Sequence, residues 1–409
     1  MSAPSKMPSY AEADLPTMYP GMVDNAAAAR ALLAEARSAP LAKGLFGPLV
    51  LHHADVTDLL RDKRLRGPGM DLARISGIPE GSRTWNRMEQ ILLFMEGDDH
   101  LRLRRLVSKA FTPRAVEKLR PFVRETMAHL LDSVIDDGGC DAATALCEPF
   151  PIPVICALIG IEADRWTDMS RWATSVLLSL RLDAGTFIEE IDQAQKELDE
   201  FITGLIEDRR GNPRDDLLSN LIAAEEAGDR LSPSELLSVV AMMIVAGTDT
   251  TRNQLGNTIN AFAENPEQWA LLRARPDLMS AAMEESIRWQ PATEAIPRFA
   301  VEDLEVGGYS IPAGTVVVLM SMSANHDTAA FPGADRFDIE RAVPEGWHLL
   351  TFGGGIHYCL GANLARLELT EALAELSARL PKLRLNGPAV MNPPGSIIQG
   401  YTSLPIRWD

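Results

Sequence analysis

Only four of the 409 residues are cysteine, at positions 140, 147, 156 and 359. So few in so long a chain make no disulfide framework, which suits a reducing compartment. The first three are spaced by seven and nine residues, which matches no common zinc pattern. Cys156 also lies inside the apolar run Val154–Ile159, so Cys140, Cys147 and Cys156 are expected to pack in a core rather than hold a metal. No apolar run approaches the roughly 18 residues of a membrane span. The stretch from Met1 to Pro20 is polar and proline-rich, so neither an anchor nor a signal peptide is expected, and the expected location is the cytoplasm. Basic residues are also scarce: 39 Lys and Arg face 57 Asp and Glu, a net charge of −18. That balance argues against nucleic acid and anionic membrane surfaces as partners.

What is present is an ordinary hydrophobic content of 46%, enough for a sizeable core, and one distinctive stretch, Phe352-Gly353-Gly354-Gly355-Ile356-His357-Tyr358-Cys359-Leu360-Gly361. From Ala362 onward Leu364, Leu367, Leu373, Leu376 and Leu380 form a helical apolar stripe. Cys359 therefore stands just before a helix N-terminus, where free N–H groups and the helix dipole are expected to lower its pKa and favour a thiolate. A thiolate is a nucleophile or a metal ligand, and the glycines on its approach leave room for a flat group to lie against the backbone. A cysteine protease built from His357 and Cys359 is disfavoured, because residues two apart on a glycine loop do not readily form an oriented pair.

Phe352, Gly355, His357, Cys359 and Gly361 fill every position of a signature of the cytochrome P-450 family of haem-thiolate monooxygenases, which the chain therefore resembles. The resemblance implies a mainly α fold with a small β-region, a triangular helical prism around haem b, with Cys359 as the axial ligand of the iron. It extends over nearly the whole chain. The motifs run from about residue 100 to 400, so one domain over residues 1–409 is expected.

Ser232-Pro233-Ser234-Glu235 is a capping box with proline at the first helical position, and the helix it opens should run to Glu264. About 32 residues at 1.5 Å each make roughly 48 Å, enough to cross a domain. Halfway along, Ala246-Gly247-Thr248-Asp249-Thr250-Thr251 places a glycine and three β-branched residues in a helix interior, which weakens it. Alone, Thr250 could equally be a back-bonded helix threonine. By resemblance, Asp249 and Thr250 are the acid–alcohol pair that delivers protons where dioxygen is activated, and the helix loosens there.

His100 and Arg104 share one face of a helix that opens at Asp98-Asp99. The resemblance assigns them, with Arg298, Phe352 and His357, to haem binding, the cations against the propionates. Glu285 and Arg288, at i, i+3, can pair on one helix face, and the resemblance implies that this pair is buried and structural. Met242, Val245 and Ala246 share a helix face with Thr250 and are expected to face substrate, together with Glu294 and Ile296 from the segment leading to Arg298.

Elsewhere, helices are expected at 24–39 and 54–61, an irregular connection from Arg66 to Asp99, helices with proline breaks from 120 to 230, and short strands from Leu304 to Met320. A final hairpin is expected over Ile397–Trp408, turning near Gly400-Tyr401. No residues are left over for a flavin or iron–sulfur domain, so electrons should come from another protein, which the resemblance implies is a ferredoxin-type partner with its reductase. That partner is expected to dock on a basic island of Arg102, Arg104, Arg105, Lys109, Arg114, Lys118, Arg120 and Arg124 set against Glu117 alone. The expected reaction is hydroxylation of an apolar small molecule with O₂ and two external electrons. Peroxide-driven or oxidative-coupling chemistry on the same scaffold, and a non-catalytic haem-binding sensor, are the alternatives.

Overall fold

A computed structural model describes residues 7–19, 25–226, 231–342 and 348–409. Its axis is the helix Pro233–Glu264, 32 residues long. The capping box forms as the sequence predicts: Glu235 N–H donates to Ser232 Oγ at 3.2 Å, and Ser232 N–H donates to the Glu235 carboxylate at 2.8 Å. Together these satisfy two of the orphan donors of the first turn. The helix packs against Pro151–Ile159, Trp166–Leu177, Met279–Trp289 and Ala362–Arg379, which explains why most of its residues are buried all round.

Ala362–Arg379, the helix behind Cys359, lies along Arg120–Asp132. Its buried Glu371 accepts from Arg124 Nε at 2.7 Å and also binds Arg120, joining the two helices through charge. Cys147 and Cys156 sit in the same core and Cys140 packs against it. Burial pushes the thiols of Cys140 and Cys156 up to about 12, so both are uncharged packing groups. Among the described residues no helix is long and apolar enough to cross a membrane.

The β-region consists of short strands: β1 Leu41–Lys43, β2 Pro48–Val50, β3 Leu65–Arg66, β4 Gly139–Asp141, β5 Ile296–Ala300, β6 Leu304–Val306, β7 Tyr309–Ile311, β8 Val316–Leu319, β9 Arg384–Leu385, β10 Val390–Met391, β11 Tyr401–Ser403 and β12 Pro405–Arg407. The largest sheet runs β1-β2-β8-β5-β3, with β2 and β8 parallel and the other neighbours antiparallel. It carries Arg298 in β5, opposite Val317 of β8.

Two expectations are corrected. The connection from Arg66 to Asp99 contains the helices Gly69–Ile75 and Arg83–Met88. Ser82 caps the second by accepting from Trp85 N–H at 3.1 Å, and Ala73, Ile78, Trp85, Met88 and Phe94 form a buried cluster with Ile191. The tertiary packing of these scattered apolar residues outweighs the glycines and prolines between them. The tail is not one hairpin over 397–408. β11 pairs with β10, whereas β12 lies between β4 and β9. Strands of two and three residues are too short for alternation to reveal their partners. The helix expected from residue 24 runs Ala26–Ala36; Asp24, like residues 1–6 and 20–23, lies outside the described residues.

Candidate active site

The glycine loop is shaped by backbone that only glycine adopts readily. Gly353 and Gly355 have φ of +69° and +64°, and a Cβ on Gly355 would stand 2.7 Å from the Leu60 carbonyl oxygen. Cys359 N–H closes the loop by donating to Phe352 O at 2.8 Å. Cys359 is the one cysteine of the four with its surface open to solvent, although protein crowds round its sulfur on the other sides. The N–H groups of Gly361 and Ala362 and the charges of Arg104 and Arg366 pull its pKa down, as the helix N-terminus predicts. Burial outweighs them, however, and the thiol of the bare polypeptide is raised above its ordinary value. The helix end thus pulls the thiol in the expected direction while burial opposes it, and a bound cationic metal centre would add to the helix end's pull.

Around this loop the structure gathers the cations that the sequence singled out. The His100 ring is 0% exposed, has no hydrogen-bond partner at either nitrogen among the described residues, and lies 4.6 Å from the His357 ring, centroid to centroid. His357 Nε2 is 2.9 Å from Glu96 Oε1. Glu96 also accepts from Gly67 N–H at 2.6 Å, and its charge acts on both His100 and Arg298. Burial, with the His357 and Arg104 charges, pushes His100 down to about 4. Arg298 is buried, and its guanidinium makes one hydrogen bond among the described residues, to the Pro297 carbonyl oxygen at 3.0 Å. Arg104 Nη2 donates to Tyr358 O at 2.5 Å, beside Cys359. Buried polar nitrogens without partners are costly in a folded chain. Here they belong to the type of group that a carboxylate-bearing macrocycle needs, and they stand next to an open thiol, so the donor set fits a thiolate-ligated haem.

On the central helix Asp249 is buried against Arg252, with Arg252 Nε 2.9 Å from Oδ1, and Thr174 Oγ1 reaches the same oxygen at 3.5 Å. Burial raises the Asp249 pKa, while Arg252 acts in the opposite sense. Thr250 Oγ1 donates to Ala246 O at 2.7 Å, the back-bond weighed above, and the helix stays α throughout; it does not loosen. Ala246 is exposed although the helix around it is buried, and Met242 and Thr250, one turn to either side, are half-buried. Val245 packs into the core. Glu294 is half-buried; its main-chain oxygen accepts from Met322 N–H at 3.0 Å, while its carboxylate has no hydrogen bond or ion pair among the described residues. Burial pushes it up to about 7, and Arg30 is the charge that opposes this. Ile296 reaches the glycine loop, with Cδ1 3.7 Å from where a Cβ on Gly353 would sit.

Sequence reasoning missed three residues of this neighbourhood. Glu96 is the carboxylate shared by His357, His100 and Arg298. Arg366 lies 4.4 Å over the Phe352 ring, donates to Tyr358 Oη at 3.2 Å and pairs with Glu284. Glu368, nearly two turns past the start of the cysteine helix, is buried, accepts from Thr251 Oγ1 at 3.2 Å and is pushed up by burial to about 8. A carboxylate on a buried helical stripe is the signal that could have revealed it.

Comparison with known proteins bears on the family of the chain. The family described as Cytochrome P450 matches residues 165–379. Luteothin monooxygenase of Streptomyces thioluteus is 36% identical over 92% of this chain and 92% of its own. Mycinamicin IV hydroxylase/epoxidase of Micromonospora griseorubida is 37% identical over 88% of this chain and 89% of its own. The crystal structure of CalO2 superposes with a TM-score of 0.90 at 30% identity, covering 97% of this chain and 99% of that one.

Proposed function

Because the chain belongs to the cytochrome P450 family, we propose that it works as one catalytic domain over residues 1–409, in the cytoplasm, with haem b held by Cys359, His100, Arg104, Arg298, Phe352 and His357. It is a P450 monooxygenase, an oxidoreductase that depends on haem iron, dioxygen and a redox partner. When bound, thiolate-ligated haem supplies the oxygen activation, the sulfur pushing electron density toward O–O cleavage. The observation that carries the site assignment is the convergence of unpartnered His100 and buried Arg298 on the Glu96–His357 pair beside the open Cys359 thiol.

Hydroxylation turns substrate C–H, O₂, two electrons and two protons into C–OH and water, so the chain must deliver two protons. Asp249, whose pKa burial raises, is suited to hold one, and its contacts with Arg252 and Thr174 give it a route toward the surface. Thr250 would pass protons on by turning its hydroxyl away from Ala246 O, where it rests. Ala246, Met242 and Ile296, backed by Val245 from the core, form apolar walls for an apolar small molecule, and Glu294 receives a hydroxyl or amine carried by that molecule.

The electron donor is a ferredoxin-type protein. Of the eight basic residues counted in sequence, Arg102 pairs with Glu235, Arg120 and Arg124 with Glu371, and Arg104 with the Tyr358 carbonyl. Arg105, Lys109, Arg114 and Lys118 are exposed and have no ion pair among the described residues, so these four would face an acidic partner. Replacement of the ligand tests the central assignment. Cys359→His is expected to bind haem in part and to lose the red-shifted absorption of the reduced, CO-bound protein; retention of that band by the variant would overturn the ligand assignment.

A further inference from the structure

Immediately after Asp249 and Thr250 the central helix carries three amides, Asn253, Gln254 and Asn257, all buried. Buried amides without partners would cost stability, and asparagine is a poor helix former, so the sequence here serves something other than helix formation. Every one of these amides reaches a main-chain atom or an amide of another segment. Gln254 Nε2 donates to Gln290 O at 3.1 Å and its Oε1 accepts from Ala292 N–H at 2.9 Å. Asn257 Nδ2 donates to Gln399 O at 3.1 Å, and Gln399 N–H donates to Ala292 O at 2.7 Å. The segment that leads to Ile296 and the turn between β10 and β11 are thereby fastened to one stretch of helix and to each other.

Asn253 differs from the other two because it points both ways. Its Nδ2 donates to Asp249 O at 2.7 Å, and its Oδ1 accepts from Asn392 Nδ2 at 2.9 Å. Asn392 spends its second amide hydrogen on Ile398 O at 3.0 Å, and its own N–H donates to Gly400 O at 3.0 Å. Gly400 has to be glycine for this approach, since a Cβ there would collide with the Asn253 side chain. A continuous hydrogen-bonded line thus runs from the turn at 392–400, through Asn392 and Asn253, to the main chain of Asp249.

We propose that Asn392 is a positioning residue for proton delivery: it holds the β10–β11 turn and the Asp249 turn of the central helix in one register, so that whatever rests against the turn sets the geometry of Asp249 and Thr250. The inference rests on the monooxygenase assignment and on the turn forming a wall of the pocket. Its readout is the share of electrons that reach product, together with the order of the helix itself.

The test uses the full haem-loaded chain with Asn392→Ala and Asn392→Asp, the latter keeping the size of the side chain while removing both donated hydrogens. Thr402→Ala serves as a control, because its hydroxyl donates to Val390 O within the hairpin and does not reach the helix; Thr250→Ala is the reference for uncoupling. In both Asn392 variants, amide hydrogen exchange over residues 249–257 is expected to quicken at least fivefold while 233–245 is unchanged. Product per electron pair is expected to fall threefold or more, with peroxide making up the difference and KM moving less than twofold. Parent-like exchange over 249–257 would overturn the proposal, as would equal effects in Thr402→Ala, or a loss confined to substrate binding. The exchange measurement needs no turnover, so a chain that oxidises nothing with any donor would count against the proposed function while the link between turn and helix is still decided.

Discussion

Arg288 offers the sharpest test of the packing argument. It is 1% exposed in the helix Met279–Trp289 and makes five hydrogen bonds. Nε and Nη2 grip the two Glu285 oxygens at 2.7 and 2.8 Å, Nη1 reaches the carbonyls of Asn325 and Ala334 at 3.1 and 3.0 Å, and Nη2 also reaches Arg336 O at 2.9 Å. One side chain thus fastens the irregular segment 325–341, which precedes the cysteine loop, to a core helix. In Arg288→Lys the charge survives, but an ammonium has three donors and no planar fork, so at least two of the five bonds are lost. Each buried carbonyl left bare costs about 1–3 kcal/mol. Glu285 keeps a partner in Arg341, whose Nε lies 3.1 Å away, so the larger penalty of an abandoned buried charge is avoided. The expected loss is about 3 kcal/mol, a large part of the roughly 5–15 kcal/mol that holds a domain folded. With a denaturant slope of about 3 kcal/mol/M, the urea midpoint, followed by the haem absorption band and by circular dichroism, should fall by about 1 M. A midpoint within about 0.2 M of the parent at unchanged slope would show that the five bonds are not what fixes this segment.

Glu368, whose usual carboxyl value of 4.5 burial raises to about 8, binds a proton in the fold that it would release when unfolded at neutral pH. Its contribution to stability is therefore complete at low pH and is lost as pH rises from about 4.5 through about 8. Glu368→Gln should flatten the stability profile across that window, and a variant profile that still declines like the parent's would refute the assignment. Glu294→Gln should weaken binding of a hydroxyl- or amine-bearing substrate at least fivefold and change the ratio of products; if neither moves, the pocket is purely apolar. Reversing Lys109 and Arg114 to glutamate should slow reduction by a ferredoxin-type donor and remove most of its salt dependence, and a rate indifferent to both the substitutions and ionic strength would exclude that face as the docking site.

Much of this arrangement could be read in advance where local chemistry decides it. The Ser232–Glu235 capping box, the helix behind Cys359, and the i, i+3 pair Glu285–Arg288 all depend on residues a few positions apart. The haem-loop residues were legible through a short motif. What escaped depends on distant approach: Glu96 acts through Gly67, 29 residues before it, and His357, 261 residues after it. Nothing local marks it, since its carboxyl does not even cap the helix that it precedes. At Cys359 the helix-end N–H groups can likewise be read from sequence, whereas the burial that opposes them is a property of the assembled chain. The basic island shrank in the same way, because its partners Glu235 and Glu371 lie more than a hundred residues away.

The sheet β4-β12-β9 has a bearing on how the protein is made. Ser403 Oγ donates to Asp141 Oδ2 at 2.6 Å across a separation of 262 residues, and the buried Trp408 donates from its main chain to Gly138 O at 3.0 Å and from Nε1 to Ile135 O at 3.2 Å. During synthesis at about 5–20 residues per second, the segment around β4 waits on the order of tens of seconds for its partner strand, with its edge unpaired. Closure of this sheet therefore comes late, long after β4 has been made. Through that interval the ribosome-bound chain exposes a strand edge and the apolar seat of Trp408, the kind of surface that chaperones engage.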